Sequence, residues 1–237
     1  MRVPRTLRWI LLVAGVCAVA LTAGLVWLFI AATQVPEFYA EALRTPMVDA
    51  REQGEKFERA VLELHNEVRN EDHFRVVFTP EEINGWLISE LPRKFPKALP
   101  GKVHDPRIAL EPDRILAAFR YEERGVSTVI TLALEIKLTE SADVVAVRVR
   151  QLKAGAIPVP LAPLIEDITK HAHRQGLAIL WQQEEGDPVA LVPLRFSEAV
   201  LRDKTLLLQE IAISADGITV GGELQSMKKP SENLPEP

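Results

Sequence analysis

The polarity pattern opens with a run free of charge, from Trp9 to Ala32. At about 1.5 Å per residue these 24 positions would form a helix of roughly 36 Å, longer than a hydrocarbon core of about 30 Å. Arg2, Arg5 and Arg8 precede the run, and Glu37 and Glu41 follow it. The positive-inside rule then keeps the amino terminus cytoplasmic and exports the rest. A cleaved signal peptide shares this polarity, but its apolar core is only about 7–15 residues, and cutting after Ala32 would leave Ile30 at the −3 position. A retained single-pass anchor over 9–32 is the expectation, with cleavage the alternative.

Beyond the run, Phe57, Val61, Leu64 and Val68 recur at helical spacing and predict an amphipathic helix over 47–71. A short strand follows at His73–Phe78. Thr79-Pro80-Glu81-Glu82 then carries the signature of a capped helix start, which buries Ile83, Trp86, Leu87 and Leu91 and stops at Pro92. From Arg107 the period changes to two. Strands are expected at Ile108–Glu111, Arg114–Glu122 and Val126–Thr139, the last with Ile130, Leu132, Leu134, Ile136 and Leu138 on one face. Val145, Val147 and Val149 alternate in its hairpin partner. Two prolines in Gly155–Pro160 end the ladder. A helix over Leu161–Gln175 with Gly176 as its stop, strands at Leu177–Gln182 and Val189–Leu194, and a closing hairpin around Ala215-Asp216-Gly217 complete the pattern. The class implied is α+β: a long antiparallel, curved sheet covered by the helices at 80–91 and 161–175. The organisation reads as a cytoplasmic stretch 1–8, the span 9–32, a juxtamembrane helical segment 33–72, an exported domain 73–226 and a disordered tail 227–237.

Charge sharpens this picture. The first 32 residues carry three arginines and no acid, whereas the remainder holds 25 Lys and Arg against 33 Asp and Glu. An acidic remainder argues against nucleic acid as a partner. One cysteine, Cys17, excludes a disulfide framework within the chain. The sequence contains no G-x-S-x-G, Walker loop, H-E-x-x-H, C-x-x-C or dinucleotide-binding glycine pattern, so no enzyme, metal or cofactor is expected. His171 and His173, two apart on a helix, point about 200° from each other and cannot share a metal.

Two residue sets remain as candidates. The proline-rich connector 92–107 concentrates positive charge, and Arg93, Lys94, Phe95, Lys97, Leu99, Lys102 and Arg107 form a candidate membrane or ligand contact. The default reading of the same connector is a solvated loop. Ile130, Leu132, Leu134 and Ile136, with Leu164 and Ile168 of the later helix, form either a filled core or the wall of a groove for an acyl chain.

The order of "FTPEEINGWL", long alternating strands, "VRVRQLKAGAIPVPLAPLIEDI" and a closing hairpin resembles small bacterial envelope proteins of the YpmS-like kind, which look related to the tubular lipid-binding superfamily. The resemblance covers roughly residues 74–224. It implies lipid binding by a strongly curved sheet, gives Thr79, Asn84, Gly155, Pro158 and Pro160 architectural roles, and supplies no catalytic residue. The expected function is a non-enzymatic membrane-anchored envelope protein whose extracytoplasmic domain binds lipid or another amphiphile near the bilayer. The alternative is a scaffold that engages an envelope protein partner through helix 47–71 or the connector.

Overall fold

The computed structural model describes residues 5–123, 125–141, 144–174, 178–193 and 204–226, with side chains from residue 19 onward. The helices are α1 (Arg5–Ala32), α2 (Glu37–Ala42), α3 (Met47–Asn70), α4 (Pro80–Ser89), α5 (Leu91–Lys94) and α6 (Ala162–Arg174). The strands are β1 (His73–Phe78), β2 (Val103–Glu111), β3 (Arg114–Glu123), β4 (Val126–Leu138), β5 (Val144–Ala154), β6 (Ile157–Pro158), β7 (Leu180–Glu184), β8 (Asp187–Pro193), β9 (Lys204–Ser214) and β10 (Gly217–Ser226). The expected tail, the helix stop at Gly176 and the outer ends of the strands at Leu177 and Leu194 lie outside the described residues.

The α+β class with long antiparallel strands holds, but the strands divide between two sheets. β2, β3, β4 and β5 join as successive hairpins and continue through β8 to β7, while β1 pairs with β10 and β10 with β9. The division follows from connectivity. Helices α4 and α5 separate β1 from β2, so β1 finds its partner in the carboxyl-terminal hairpin, with Phe74 opposite Gly222. Leu64 and Val68 of α3 close that small sheet over Phe74, Leu206 and Leu224. Val61 is 41% exposed, so the helix's apolar stripe drifts off this contact between its two ends.

Among the described residues no helix is long and apolar enough to cross a membrane. The side chains described for α1 begin at residue 19, and from there to Ala32 the helix covers only about 20 Å. Those side chains include Leu25, Trp27, Phe29 and Ile30, all well exposed.

In the large sheet the alternation of β4 is realised. Its even positions lie opposite Leu152, Val149, Val147 and Val145 of β5. Leu132, Val149 and Leu152 are buried, and Phe119, Ile130, Leu134, Val159, Leu161, Leu164 and Trp181 pack against them. A bulge between Ala133 and Leu134 keeps both halves of β5 in phase with this face. On the reverse face Tyr39 of α2 is buried against Ala118 and Val129.

The helical pair α3–α4 is held by two devices that are local in structure and remote in sequence. First, the backbones cross at glycines: a Cβ on Gly85 would stand 2.6 Å from the Ala50 carbonyl oxygen, and one on Gly54 would stand 2.6 Å from Ser89 Oγ. Small residues four apart on each helix, Ala50 and Gly54 against Gly85 and Ser89, make that approach possible. Second, Asn84 pairs with the edge of the large sheet. Its Nδ2 donates to the Ile108 carbonyl and its Oδ1 accepts from the Ile108 N–H, each at 2.8 Å. The start of α4 is fixed by the expected capping box, with Thr79 Oγ1 accepting from the Glu82 N–H and the Glu82 carboxylate accepting from the Thr79 N–H.

Alanine at an open helical position gains about 1 kcal/mol over glycine. At Gly85 the sign should reverse: Gly85→Ala is expected to cost about 1–3 kcal/mol through overpacking. Gly101→Ala, where a Cβ meets nothing within 4 Å, should be nearly neutral. Thermal unfolding of the two variants checks this, and equal midpoints would remove the crossing as a constraint.

Candidate functional site

The site begins where α1 ends. The last carbonyls of a helix lack partners within it, and here the sheet supplies them. The Ala156 N–H donates to the Ala31 carbonyl at 2.7 Å and Thr128 Oγ1 donates to the Ala32 carbonyl at 2.6 Å. Gly155, at φ +59°, makes the turn beside them, and a side chain there would collide with the same two carbonyls. From this junction the chain runs through Pro36 into α2, which lies on the sheet. The buried Tyr39 hydroxyl donates to the Asp105 carbonyl at 2.9 Å. Burial, and after it the nearby Asp105 carboxylate, raises the phenol's pKa, so Tyr39 is neutral.

Next to the turn between α2 and α3 opens a cleft of about 480 Å³, within the usual range of small-molecule sites. One wall is apolar: Leu87, Ile88 and Leu91 from α4 and α5, then Phe95 and Leu99 from the connector, with Met47 at the start of α3. The other wall is β2 and β3, with His104, Asp105, Arg107 and Arg120. The strand β2 begins at Val103, five residues before the expected Ile108. Its register breaks between His104 and Arg107, with Asp105 at φ +50°. That irregularity sets His104 opposite Arg120 and Arg107 opposite Ala118, and all three of His104, Arg107 and Arg120 are among the cleft's lining residues. An aromatic chain backs the apolar wall, with ring centroids of Phe57 and Trp86 5.7 Å apart and those of Trp86 and Phe95 6.0 Å apart.

The first candidate set is therefore only partly gathered. Phe95, Leu99 and Arg107 line the cleft. Pro92 falls in the first turn of α5 and does not stop the helical path, which carries Arg93 and Lys94 onto Glu90. Lys94 also pairs with Glu58, and Lys102 with Glu123 at 2.6 Å. Lys97 is exposed and has no ion pair among the described residues. The sequence could not show these neutralisations, because Glu58 and Glu123 come from α3 and β3. The second set resolves toward packing: Ile130, Leu132, Leu134 and Leu164 belong to one compact cluster. Ile136 and Ile168 are half-buried.

The carboxylate of Glu90 is buried at 3% exposure. Its bond to Arg93, aided by Lys94, holds it below its ordinary pKa against the opposing effect of burial. A second buried charge, Arg148, sits between β5 and β8 with Asp187 at 2.8 Å and Glu185 at 2.9 Å. A further cleft of about 420 Å³ lies on the reverse face of the sheet, between Gln34, Pro36 and Phe38 and the β4–β5 positions Thr131, Ala133 and Lys153. Among the described residues no group of three His, Cys, Asp or Glu side chains could hold a metal ion.

Comparison with known proteins returned no matching protein family, curated protein or solved structure.

The depressed pKa of Glu90 fixes the sign of a pH effect. Its contribution to stability is complete above the ordinary value of 4.5 and disappears as the pH falls below it through the folded-state pKa. Glu90→Gln should therefore lower the unfolding midpoint at neutral pH, and the gap from the unsubstituted protein should close on acidification below 4.5. Paired melts across pH check this, and a gap that widens in acid would reverse the assignment.

Proposed function

We propose that this protein is a single-pass, membrane-anchored envelope protein whose extracytoplasmic domain binds an amphiphile close to the bilayer. The anchor is the charge-free run 9–32, oriented by the three arginines before it. The observation that carries the binding role is the cleft at the turn between α2 and α3. It presents an apolar wall of Leu87, Leu91, Phe95 and Leu99 opposite charged residues of β2 and β3, the division of polarity that an amphiphile has. The cleft's position adds support. Only residues 33–46 separate α1 from the start of α3, and α2 is fixed to the sheet on the way. A binding role, with no chemical step, fits a sequence in which none of the catalytic motifs named above occurs.

The reading is tested on the full chain in its membrane. A reporter enzyme at the carboxyl terminus should be active only outside the cytoplasm, and the mature mass should remain that of the whole 26.4 kDa chain. Lipid extracted from purified protein should contain a bound amphiphile, and Leu99→Trp, which fills the cleft, should reduce its yield several-fold at unchanged fold. Lys97→Glu should leave that yield unaltered. A stoichiometric protein recovered by crosslinking from the connector, with no lipid retained, would favour the scaffold reading.

A further inference from the structure

Three charged side chains are buried among the described residues: Glu90, Arg107 and Arg148. Two of them have counter-ions within the fold. Glu90 is met by Arg93 and Lys94, and Arg148 by Asp187 and Glu185. Arg107 differs. It is 7% exposed, its Nη1 donates to the Pro106 carbonyl at 2.8 Å, its Nε donates to the Ala42 carbonyl at 3.4 Å, and no carboxylate among the described residues pairs with it. The adjacent acid, Asp105, is taken by Arg120 at 2.8 Å. The neighbouring phenol of Tyr39 is neutral, as derived above, and cannot serve as the anion.

A guanidinium withdrawn from water without a counter-ion is unfavourable, and folded chains rarely retain one. Here burial is the largest influence and lowers the pKa of Arg107, opposed by the charge of the nearby Asp105 carboxylate, which is itself paired with Arg120. Arg107 is also among the residues that line the cleft. Its planar fork of donors suits two oxygens of a single anionic group. Arg120 is a poorer candidate for that task, since Asp105 and Glu122 already occupy its guanidinium.

We propose that Arg107 is the head-group anchor of the cleft, and that the occupant is an amphiphile with one anionic head, a carboxylate or a phosphate, whose chain lies along Leu87, Leu91, Phe95 and Leu99. The proposal rests on the amphiphile reading and narrows it to acids. The missing counter-ion arrives with the ligand, so binding and neutralisation of the buried charge are one event. A neutral amphiphile would cover the same apolar wall but leave the guanidinium unmatched.

The test uses the full chain in phosphatidylcholine nanodiscs and three photoreactive probes with the same dodecyl chain: the fatty acid, the alkyl phosphate and the alcohol. Crosslinked positions are mapped by peptide mass spectrometry. At least one acidic probe should label the segment 87–99 about tenfold more than the alcohol, the loss associated with one charge-assisted hydrogen bond. Arg107→Leu should abolish that preference, Arg107→Lys should fold and keep part of it, and Leu99→Trp should reduce labelling by every probe. Stronger labelling by the fatty acid identifies a carboxylate head, and stronger labelling by the alkyl phosphate a phosphate head. Equal labelling by acids and alcohol, unchanged in Arg107→Leu but lost in Leu99→Trp, would overturn the head-group assignment while amphiphile binding stood. Labelling of the cleft by none of the probes would overturn both. Thermal melts of each variant accompany the labelling, and a rise in midpoint on adding the acidic probe at constant pH should be present in the unsubstituted chain and absent in Arg107→Leu.

Discussion

The shape of the cleft depends on one side-chain amide. Asn84 completes the hydrogen bonding of Ile108 at the edge of the large sheet, as a neighbouring strand would. It thereby fixes α4 beside β2 with the residue next to Arg107 as its point of attachment. An open strand edge otherwise presents unpaired backbone groups to solvent or to another chain. The glycine crossing with α3 secures the other side of α4, so Leu87 and Leu91 are held at a set separation from the charged strands. The apolar wall and the polar wall belong to different layers of the fold, and that amide joins them.

Features encoded within a few residues were legible in the sequence. The capping box at Thr79 and Glu82, the even-position face of β4 and the hairpin at Ala215–Gly217 each follow from local spacing, and each is present. What escaped was set by partners distant along the chain. Nothing near Asn84 reveals that its amide will meet Ile108, and nothing in the basic connector reveals Glu58. The close α3–α4 approach had a faint trace, since Ala50 and Gly54 match Gly85 and Ser89 in spacing, but the pairing of two such short patterns needs the third dimension. The division into two sheets escaped for a similar reason. β1 is a short strand whose alternation does not say whether it joins β2 or the far end of the chain.

The buried charges show how the same residue type can be ion-paired in one place and bonded to backbone oxygens in another. Arg148 ties β5 to β8 through carboxylates on the β7–β8 hairpin. Arg107, at an irregular point of β2, has only backbone oxygens as hydrogen-bond partners among the described residues. Composition treats these two arginines alike. Their difference lies in the position of acids contributed by other strands, so a basic cluster read from sequence overstates the free positive charge of the folded surface.

The junction at Gly155 makes the connection between helix and sheet a rigid joint and not a tether. Because the final carbonyls of α1 are hydrogen-bonded into the sheet, any change in the helix's length is transmitted to everything attached to it. One residue added within α1 would advance the domain by about 1.5 Å along the helix axis and swing it by about 100° around that axis. The compass bearing of the cleft is thus written in the number of residues in a helix that contributes nothing to the lining described for it.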